Sequence, residues 1–443
     1  MQMTETMMSW QPTVAILLFL IAYAVWMTDQ LNRTLIAIVA AVLFLLLGIA
    51  GWNHVFTYIN WDMLLLWTGM MIISAVLGRS GWIRVLTVLV LRRSGGRPAW
   101  MFIGLMVLTA ICSALLDSVS TMLLLVPMLL SIAKECRLPA APFLIGAVLI
   151  SNTAATATLI GQTSNMWIGT ANPQLTFMAF IQVLGPIIGV LLCIQVLCIW
   201  LVYYKSLRFQ PLLLQPEKWN ITDPQDVQQT VRRGSREAVL VIFILTIILL
   251  MIAPALGWKP GWIAAAGAVV MLLIGQLAGI RTGTMLKQLE WEPLLFFAGL
   301  FIIAGGLVQS GWITTGATAL IELTNGSMAW IALILLWMTG LLSMAMDHMP
   351  WIAVMIPLVQ ETGIQMDAES AGVLHPIWWA LALGAGIGGS GTLLSSAAGL
   401  IAASMAERDN QRLRYLEFLR IGLPLTLFSL LIASLYVGYV LIP

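Results

Sequence analysis

Two aspartates, Asp117 and Asp347, each interrupt a long apolar stretch of this chain. Placing one Asp at the centre of a spanning helix costs about 2.5–3.5 kcal/mol, so a carboxylate kept there usually has a function. In such surroundings it can bind a proton or a cation such as Na⁺. The two positions differ by 230 residues, an interval that recurs elsewhere in the sequence. We therefore predict that the aspartates occupy equivalent places in two related halves.

The composition indicates a polytopic membrane protein. Hydrophobic residues make up 60% of the 443 residues, charged residues only 9%, and the mean hydropathy is +0.97. Soluble domains carry about 25% charged residues. A net charge of +2, without a basic run that contains aromatics, argues against a nucleic-acid partner. The four cysteines form no C-x-x-C pair, so no cofactor and no structural metal is predicted. The only metal expected is a possible Na⁺ near Asp117 and Asp347.

The first aspartate is predicted to lie at the tip of a re-entrant helical hairpin over residues 100–133. Each arm has about 15 or 16 residues, which gives roughly 24 Å at 1.5 Å per residue. That is shorter than the ~30 Å hydrocarbon core. Arg97 and Lys134 flank the hairpin, and such basic residues favour the cytoplasmic side. Both ends of the hairpin are therefore expected on that side.

A broken helix is predicted over residues 140–169. As one helix this segment would reach roughly 45 Å, too long for a single crossing. Its middle, Ser151 to Asn165, is small and polar rather than rich in leucine. The break would expose backbone groups within the membrane.

The second half of the chain repeats the first. Ser80-Gly81-Trp82-Ile83 recurs as Ser310-Gly311-Trp312-Ile313, and Pro127 recurs as Pro357. We predict repeat 1 over residues 1–205, a cytoplasmic linker over 206–236 and repeat 2 over 237–443. The second repeat would contain a hairpin over 330–360 and a broken helix over 376–406.

Each repeat would cross the membrane five times, and an odd number of crossings inverts one repeat relative to the other. The fold class is therefore an all-α polytopic protein of two inverted repeats. With both termini outside, all of the 21 Lys and Arg residues except Lys259 fall inside, as the positive-inside rule requires. This gives ten crossings of the cytoplasmic (inner) membrane. The first span is expected to stay in the mature protein, because no basic residue precedes it.

Inverted repeats with broken helices place a binding site near the middle of the membrane. The candidate residues are the polar and glycine positions at both tips and both breaks, where helix N-termini can bind an oxygen-rich ligand. No Lys or Arg is among them, so a highly charged anion would need a co-bound cation. They are Asp117, Ser118, Thr121, Asn152, Thr156, Thr158, Gly161, Thr163, Ser164, Asn165, Asp347, His348, Ser390, Gly391, Thr392, Ser395 and Ser396.

Structural roles remain open for several candidates. The aspartates could only cap the second arm of each hairpin. His348 could be a packed, hydrogen-bonded histidine rather than a proton relay. The Ser and Thr hydroxyls between Ser151 and Ser164 could bond only to helix carbonyls.

Leu115 to Pro127 resembles the L-D-N-V-T-T-x-L-L-L-x-P motif of the ion transporter superfamily, in the branch of arsenite permeases, D-type sodium/proton antiporters and the P-protein. Ser151 to Gly169 and Gly388 to Leu394 are similar to the two break motifs of that branch. The Asn that usually follows the first Asp is Ser118 here, and its equivalent in the second half is His348. The resemblance implies secondary active transport by an elevator mechanism in a homodimer.

The leading hypothesis is an ion-coupled transporter of a small inorganic oxyanion or metalloid such as arsenite, with H⁺ or Na⁺ as the coupling ion. The alternatives within transport are a Na⁺/H⁺ antiporter and an organic (di)carboxylate or anion transporter of the same superfamily. A membrane aspartyl protease would need both carboxylates to share one proton, and no G-x-G-D motif is present. A passive channel would ignore pH and Na⁺ gradients. We expect a transporter and not an enzyme.

Overall fold

The computed structural model describes residues 10–28, 31–95, 97–208, 233–277, 283, 291–366, 375–411 and 413–442. These residues form helices and connecting turns, and no strand occurs among them, in agreement with the predicted all-α class. Most of the predicted linker over 206–236 lies outside the described residues.

Within its described residues, the first half has nine principal helices. They are α1 (Gln11–Thr28), α2 (Arg33–Leu46), α3 (Trp61–Arg79), α4 (Trp82–Arg93), α5 (Pro98–Leu116), α6 (Ser118–Glu135), α7 (Ala141–Ala155), α8 (Thr163–Ala171) and α9 (Phe177–Val202). Short helical turns cover Trp52–His54, Val55–Tyr58 and Tyr204–Arg208.

The second half gives the same succession of helices. They are α10 (Arg233–Leu256), α11 (Pro260–Leu277), α12 (Glu292–Gln309), α13 (Trp312–Thr324), α14 (Met328–Ala345), α15 (Met349–Gln365), α16 (His375–Gly388), α17 (Ala397–Arg408) and α18 (Tyr415–Tyr436), which a π-helical turn at Val437–Leu441 extends. Each helix of the first half thus has a counterpart nine places later.

The repeat extends to backbone conformation. Gly81 and Gly311 precede α4 and α13 with φ angles of 83° and 79°. Glycine adopts this left-handed region without the steric penalty that a Cβ brings. The recurring Ser-Gly-Trp-Ile sequence therefore sets the same sharp turn in both halves.

A helical hairpin lies at each of the two predicted positions, with arms longer than expected. The first hairpin comprises α5 and α6, of 19 and 18 residues, which pack on each other and meet at Asp117. At 1.5 Å per residue the arms reach about 28 and 27 Å, so the expectation of arms near 24 Å is wrong. The second hairpin comprises α14 and α15, of 18 and 17 residues. That either hairpin re-enters the membrane, rather than crossing it twice, stays a prediction.

Ten of the described helices are long and apolar enough to cross a membrane, so the protein is a multi-pass membrane protein. Their number equals the predicted number of crossings, but the set differs. It includes α5, α6 and α14 of the hairpins, and it leaves out α2 and both broken helices, whose pieces are shorter.

Both predicted breaks are present. The first interrupts the helix between α7 and α8 at residues 156–162, and the second separates α16 from α17 at residues 389–396. The half-helices after the breaks cross over between the repeats: α8 packs on α15 and α16, while α17 packs on α6 and α7. Hairpins and broken helices thus form one interleaved group, α5–α8 with α14–α17, which we call the hairpin unit.

Six other helices, α1–α3 and α10–α12, form a second group, which we call the frame. Its contacts also occur in equivalent pairs, because α3 packs on α11 as α12 packs on α2. The frame touches the hairpin unit where α3 meets α5, α6 and α8 and where α12 meets α15. Two related halves with a pseudo-two-fold arrangement produce such paired contacts. The inversion of one half across the membrane stays a prediction.

Candidate functional site

A cavity of about 990 Å³ lies between the frame and the hairpin unit. Four helices of the hairpin unit begin at its wall: α6 at Ser118, α8 at Thr163, α15 at Met349 and α17 at Ala397. Helix N-termini present unpaired N–H groups and a partial positive charge. The cavity therefore has four helix ends that favour a negatively charged ligand.

Eight of the seventeen candidate residues line this cavity together. The two tips and both breaks all contribute residues to the cavity wall. The eight are Asp117, Ser118, Asn152, Gly161, Thr163, Asp347, His348 and Ser396.

Asp117 forms the tip of the first hairpin in a backbone conformation that is rare for a side-chain-bearing residue, with φ 115° and ψ 159°. Its Oδ1 accepts a hydrogen bond of 2.8 Å from the backbone N–H of Ser120, and its Oδ2 accepts one of 2.7 Å from the Ser120 hydroxyl. The backbone N–H of Ser118 donates to the carbonyl of Gly161 at 3.3 Å, which ties the tip to the first break. Asp117 is thus the N-cap of α6 and also faces the cavity.

Asp347 at the second tip has an ionic partner. Its Oδ2 lies 3.2 Å from Nη1 of Arg33, the first residue of α2, and its Oδ1 accepts from the backbone N–H of Met349 at 3.2 Å. Arg33 thus brings a guanidinium to the cavity, although no Lys or Arg is among the candidate residues from the sequence. Arg79 also lines the cavity.

His348 connects the second tip to the first break. Its Nε2 lies 3.2 Å from Nε2 of Gln162, and its Nδ1 lies 3.8 Å from Oδ1 of Asp347. A donating Gln162 amide requires a neutral imidazole with its proton on Nδ1, the nitrogen that faces Asp347. The ring is largely buried but reaches the cavity wall.

Asn152 joins the two breaks from the middle of the hairpin unit. Its Nδ2 donates to the carbonyl of Gly389 at 2.8 Å and to the hydroxyl of Ser396 at 2.9 Å. The side chain is 3% exposed and also lines the cavity. It therefore fixes the end of α7 against the second break at the cavity wall.

The other nine candidates lie outside the cavity wall, and several of them hold the breaks in place. The Thr158 hydroxyl donates to the carbonyl of Ala114, and the equivalent Thr392 hydroxyl donates to the carbonyl of Met344. The observed role of these two threonines is therefore a hydrogen bond to a helix carbonyl, which is the structural role that the sequence left open. The nine are Thr121, Thr156, Thr158, Ser164, Asn165, Ser390, Gly391, Thr392 and Ser395.

Three of these nine carry buried oxygen atoms without a hydrogen-bond partner: Thr121 Oγ1, Ser164 Oγ and Asn165 Oδ1. They lie in the first turns of α6 and α8, the two helices that begin at the first tip and the first break. Buried polar atoms usually find a partner, so such oxygens are candidates for a ligand. Among the described residues, no group of three or more His, Cys, Asp or Glu residues is placed to hold a metal ion.

Sequence reasoning missed the residues that the frame contributes. Asn32, Arg33, Arg79 and Glu292 of the frame line the cavity, and so do two further residues of the hairpin unit, Ser120 and Gln162. Asn32 caps α2 by accepting from the N–H groups of Thr34 and Leu35, and its amide donates to the Glu292 carboxylate. Glu292 stands 230 residues after Asp62, so the repeat could have indicated this position. Arg33 was counted only among the basic residues that set the topology.

The fold and the site together define a helical membrane protein with a charged internal cavity, and the comparisons show that it is a transporter. The family model described as "Citrate transporter" matches residues 23–384. The chain therefore belongs to the citrate transporter family.

Relatives along the whole chain agree with this assignment. An uncharacterised transporter of Mycobacterium bovis is 30% identical over 428 residues, 96% of this chain and 97% of the relative. The human P protein is 27% identical over 516 residues, 97% of this chain, although the chain spans only 61% of that protein. The predicted resemblance to the superfamily that contains the P-protein is thus confirmed.

The crystal structure of the YdaH transporter of Alcanivorax borkumensis shares the fold. The TM-score is 0.51 at 13% sequence identity, and the match covers 87% of this chain and 86% of that chain.

Proposed function

We propose that the protein is an ion-coupled secondary active transporter of a small organic anion that carries carboxylate groups. The main support is the cavity, where four helix N-termini, Arg33 and Arg79 surround space for a small molecule. Guanidinium groups bind carboxylates with strong, charge-assisted hydrogen bonds. The name of the matching family points to the same class of solute.

An arsenite-like substrate, the leading hypothesis from the sequence, has no support in the comparisons. Arsenous acid is uncharged at neutral pH, so it would make no ionic use of the two arginines. The cavity of about 990 Å³ is also much larger than this solute requires. Both features favour an organic anion.

We propose Asp117 as the coupling residue, with a proton or Na⁺ as the coupled ion. The unpartnered oxygens of Thr121, Ser164 and Asn165 lie in the helix turns beside this tip and are candidate Na⁺ ligands. Unwound backbone near half-helices is a common setting for coupling ions in transporters. A Na⁺/H⁺ antiporter would use the same groups, and it remains the second candidate because of these oxygens.

An elevator motion in a homodimer of the inner membrane is part of the proposal. The interleaved half-helices favour movement of the hairpin unit as one body, because α8 and α17 each pack against helices of the other repeat. The frame packs against this unit mainly through two helices, α3 and α12. The cavity between the two groups would then face each side of the membrane in turn.

The decisive experiment is uptake of radiolabelled citrate and smaller dicarboxylates into proteoliposomes with imposed Na⁺ or pH gradients. We expect accumulation against the solute gradient in the presence of at least one ion gradient. Accumulation of none of these anions would contradict the proposal. Uptake that ignores both gradients would indicate a channel, and proton movement driven by Na⁺ alone would favour the antiporter.

The two carboxylates have separate partners, which does not fit a protease. Asp117 is bonded to Ser120, while Asp347 pairs with Arg33. An aspartyl dyad requires two carboxylates that share one proton. We therefore assign both aspartates to transport.

A further inference from the structure

The ion pair between Arg33 and Asp347 joins the frame to the hairpin unit. Arg33 begins α2 of the frame, whereas Asp347 forms the tip between α14 and α15 of the hairpin unit. Both side chains line the cavity and are partly open to it, with 31% and 24% of their surfaces exposed. A soluble ligand in the cavity can therefore reach both partners.

The second tip lacks one hydrogen-bond donor that the first tip has. Asp117 accepts from the Ser120 hydroxyl, but the equivalent position in the second half is Pro350, which has no hydroxyl and no N–H. Asp347 instead bonds to the Met349 N–H and to Arg33. The sequence of the second tip thus leaves one carboxylate oxygen to an arginine from another group of helices.

A guanidinium binds carboxylates in a planar, often bidentate geometry. A carboxylate of a bound ligand offers Arg33 the same chemistry as Asp347 does. It would enter beside the N-termini of α15 and α17, which also favour negative charge. One carboxylate can therefore replace the other at Arg33.

We propose that Arg33 is the specificity-determining residue for the substrate carboxylate and that Asp347 is its internal competitor. In the ligand-free protein the Asp347 carboxylate is paired with the Arg33 guanidinium, and this ion pair holds the second hairpin tip against α2. A substrate carboxylate takes the place of Asp347, binds Arg33 and releases the tip from the frame. This inference rests on the proposed function, since it requires that the cavity bind an organic anion.

The test compares wild type, Asp347→Asn and Arg33→Gln with citrate and a dicarboxylate as probes. Binding is followed by calorimetry in detergent, and KM and kcat by uptake into proteoliposomes. Asp347→Asn removes the competitor, so we expect several-fold tighter binding and a lower KM, with ion dependence retained. Arg33→Gln should weaken binding about tenfold or more, because a charge-assisted pair is lost. The double variant should behave like Arg33→Gln.

Two further variants keep the result interpretable. Arg33→Lys retains the charge without the planar fork, and we expect an intermediate affinity if Arg33→Gln fails to fold. Glu322→Gln removes an exposed carboxylate of α13 outside the cavity and should leave binding and uptake unchanged.

Unchanged affinity in Arg33→Gln would overturn the inference, as would loss of ion-driven uptake in Asp347→Asn. Both outcomes leave the proposed function intact as long as wild type takes up the anion. If wild type neither binds nor transports any of the probes, the proposed function itself fails, and this inference fails with it.

Discussion

At the scale of single residues, the two hairpin tips use the same residue type for different contacts. Asp117 accepts from the backbone N–H and the hydroxyl of Ser120, whereas Asp347 accepts from the Met349 N–H and pairs with Arg33. Capping does not prevent a carboxylate from binding a cation on its remaining lone pairs. Unpartnered oxygens of Thr121, Ser164 and Asn165 lie in the helix turns beside Asp117, and we propose ion coupling at this tip.

Replacing Asp117 by Asn tests this assignment. Asn is a good N-cap, so stability in the absence of ions should fall by about 1 kcal/mol or less. The charge is lost, and we expect the variant to lose both its thermal stabilisation by the coupling ion and its gradient-driven uptake. Ser120→Ala is the matched control, because it removes the hydroxyl donor but keeps the carboxylate. It should retain ion dependence, and an unchanged ion response in Asp117→Asn would contradict the assignment.

Replacing Asn152 tests the link between the breaks. Ala removes both amide hydrogen bonds and leaves buried acceptors, which costs about 1–3 kcal/mol. Asp has nearly the same shape but places a carboxylate oxygen against the Gly389 carbonyl, which can only accept, so Asn152→Asp should be more destabilising than Asn152→Ala. Thermal unfolding in detergent measures both. Equal midpoints for the two variants and wild type would show that the link is dispensable.

At the scale of elements, the breaks depend on close backbone contacts. A Cβ at Gly161 would lie 2.3 Å from the carbonyl oxygen of Ala155 and 2.8 Å from its Cα. Since these are backbone atoms, no rotamer change can relieve the clash. Glycine at this position lets the chain fold back between α7 and α8.

Gly161→Ala should therefore unfold more easily than wild type, by about 1–3 kcal/mol, the usual effect of overpacking. Gly189→Ala is the matched control, because a Cβ there meets nothing within 4 Å and the position is inside α9. That change should leave stability equal or raise it by up to about 1 kcal/mol, since Ala favours a helix. Unfolding midpoints and the yield of monodisperse protein decide the comparison.

The elements that sequence reasoning found are those with local signals. Polarity and glycine predicted broken helices over 140–169 and 376–406, and the structure has the breaks at residues 156–162 and 389–396. The repeat at an interval of 230 residues related the two tips. The hairpin arms were predicted too short because α5 and α6 continue beyond the apolar run, to Pro98 and Glu135. The pair of Arg33 and Asp347 joins positions 314 residues apart, and no local pattern encodes such a contact.

At the scale of the whole molecule, the predicted inversion does not depend on how deeply the hairpins enter the membrane. A hairpin contributes either no crossing or two, so the number of crossings in each half stays odd. The longer arms of α5 and α6 therefore leave the argument unchanged. An odd number of crossings places equivalent residues of the two halves on opposite sides.

Glu135 and Gln365 are such an equivalent pair, each exposed near the end of its hairpin. In a variant without the four native cysteines, Glu135→Cys and Gln365→Cys would be labelled one at a time by a membrane-impermeant maleimide in intact cells. We expect Gln365→Cys to react from outside and Glu135→Cys to react only after lysis, because basic Lys134 and Arg137 favour the inner side. The reverse pattern, with Glu135→Cys labelled from outside, would still show inverted halves but with the opposite orientation of the protein in the membrane. Labelling of both from the same side would mean parallel halves, and two symmetric tips could then not enter one shared cavity from opposite faces of the membrane.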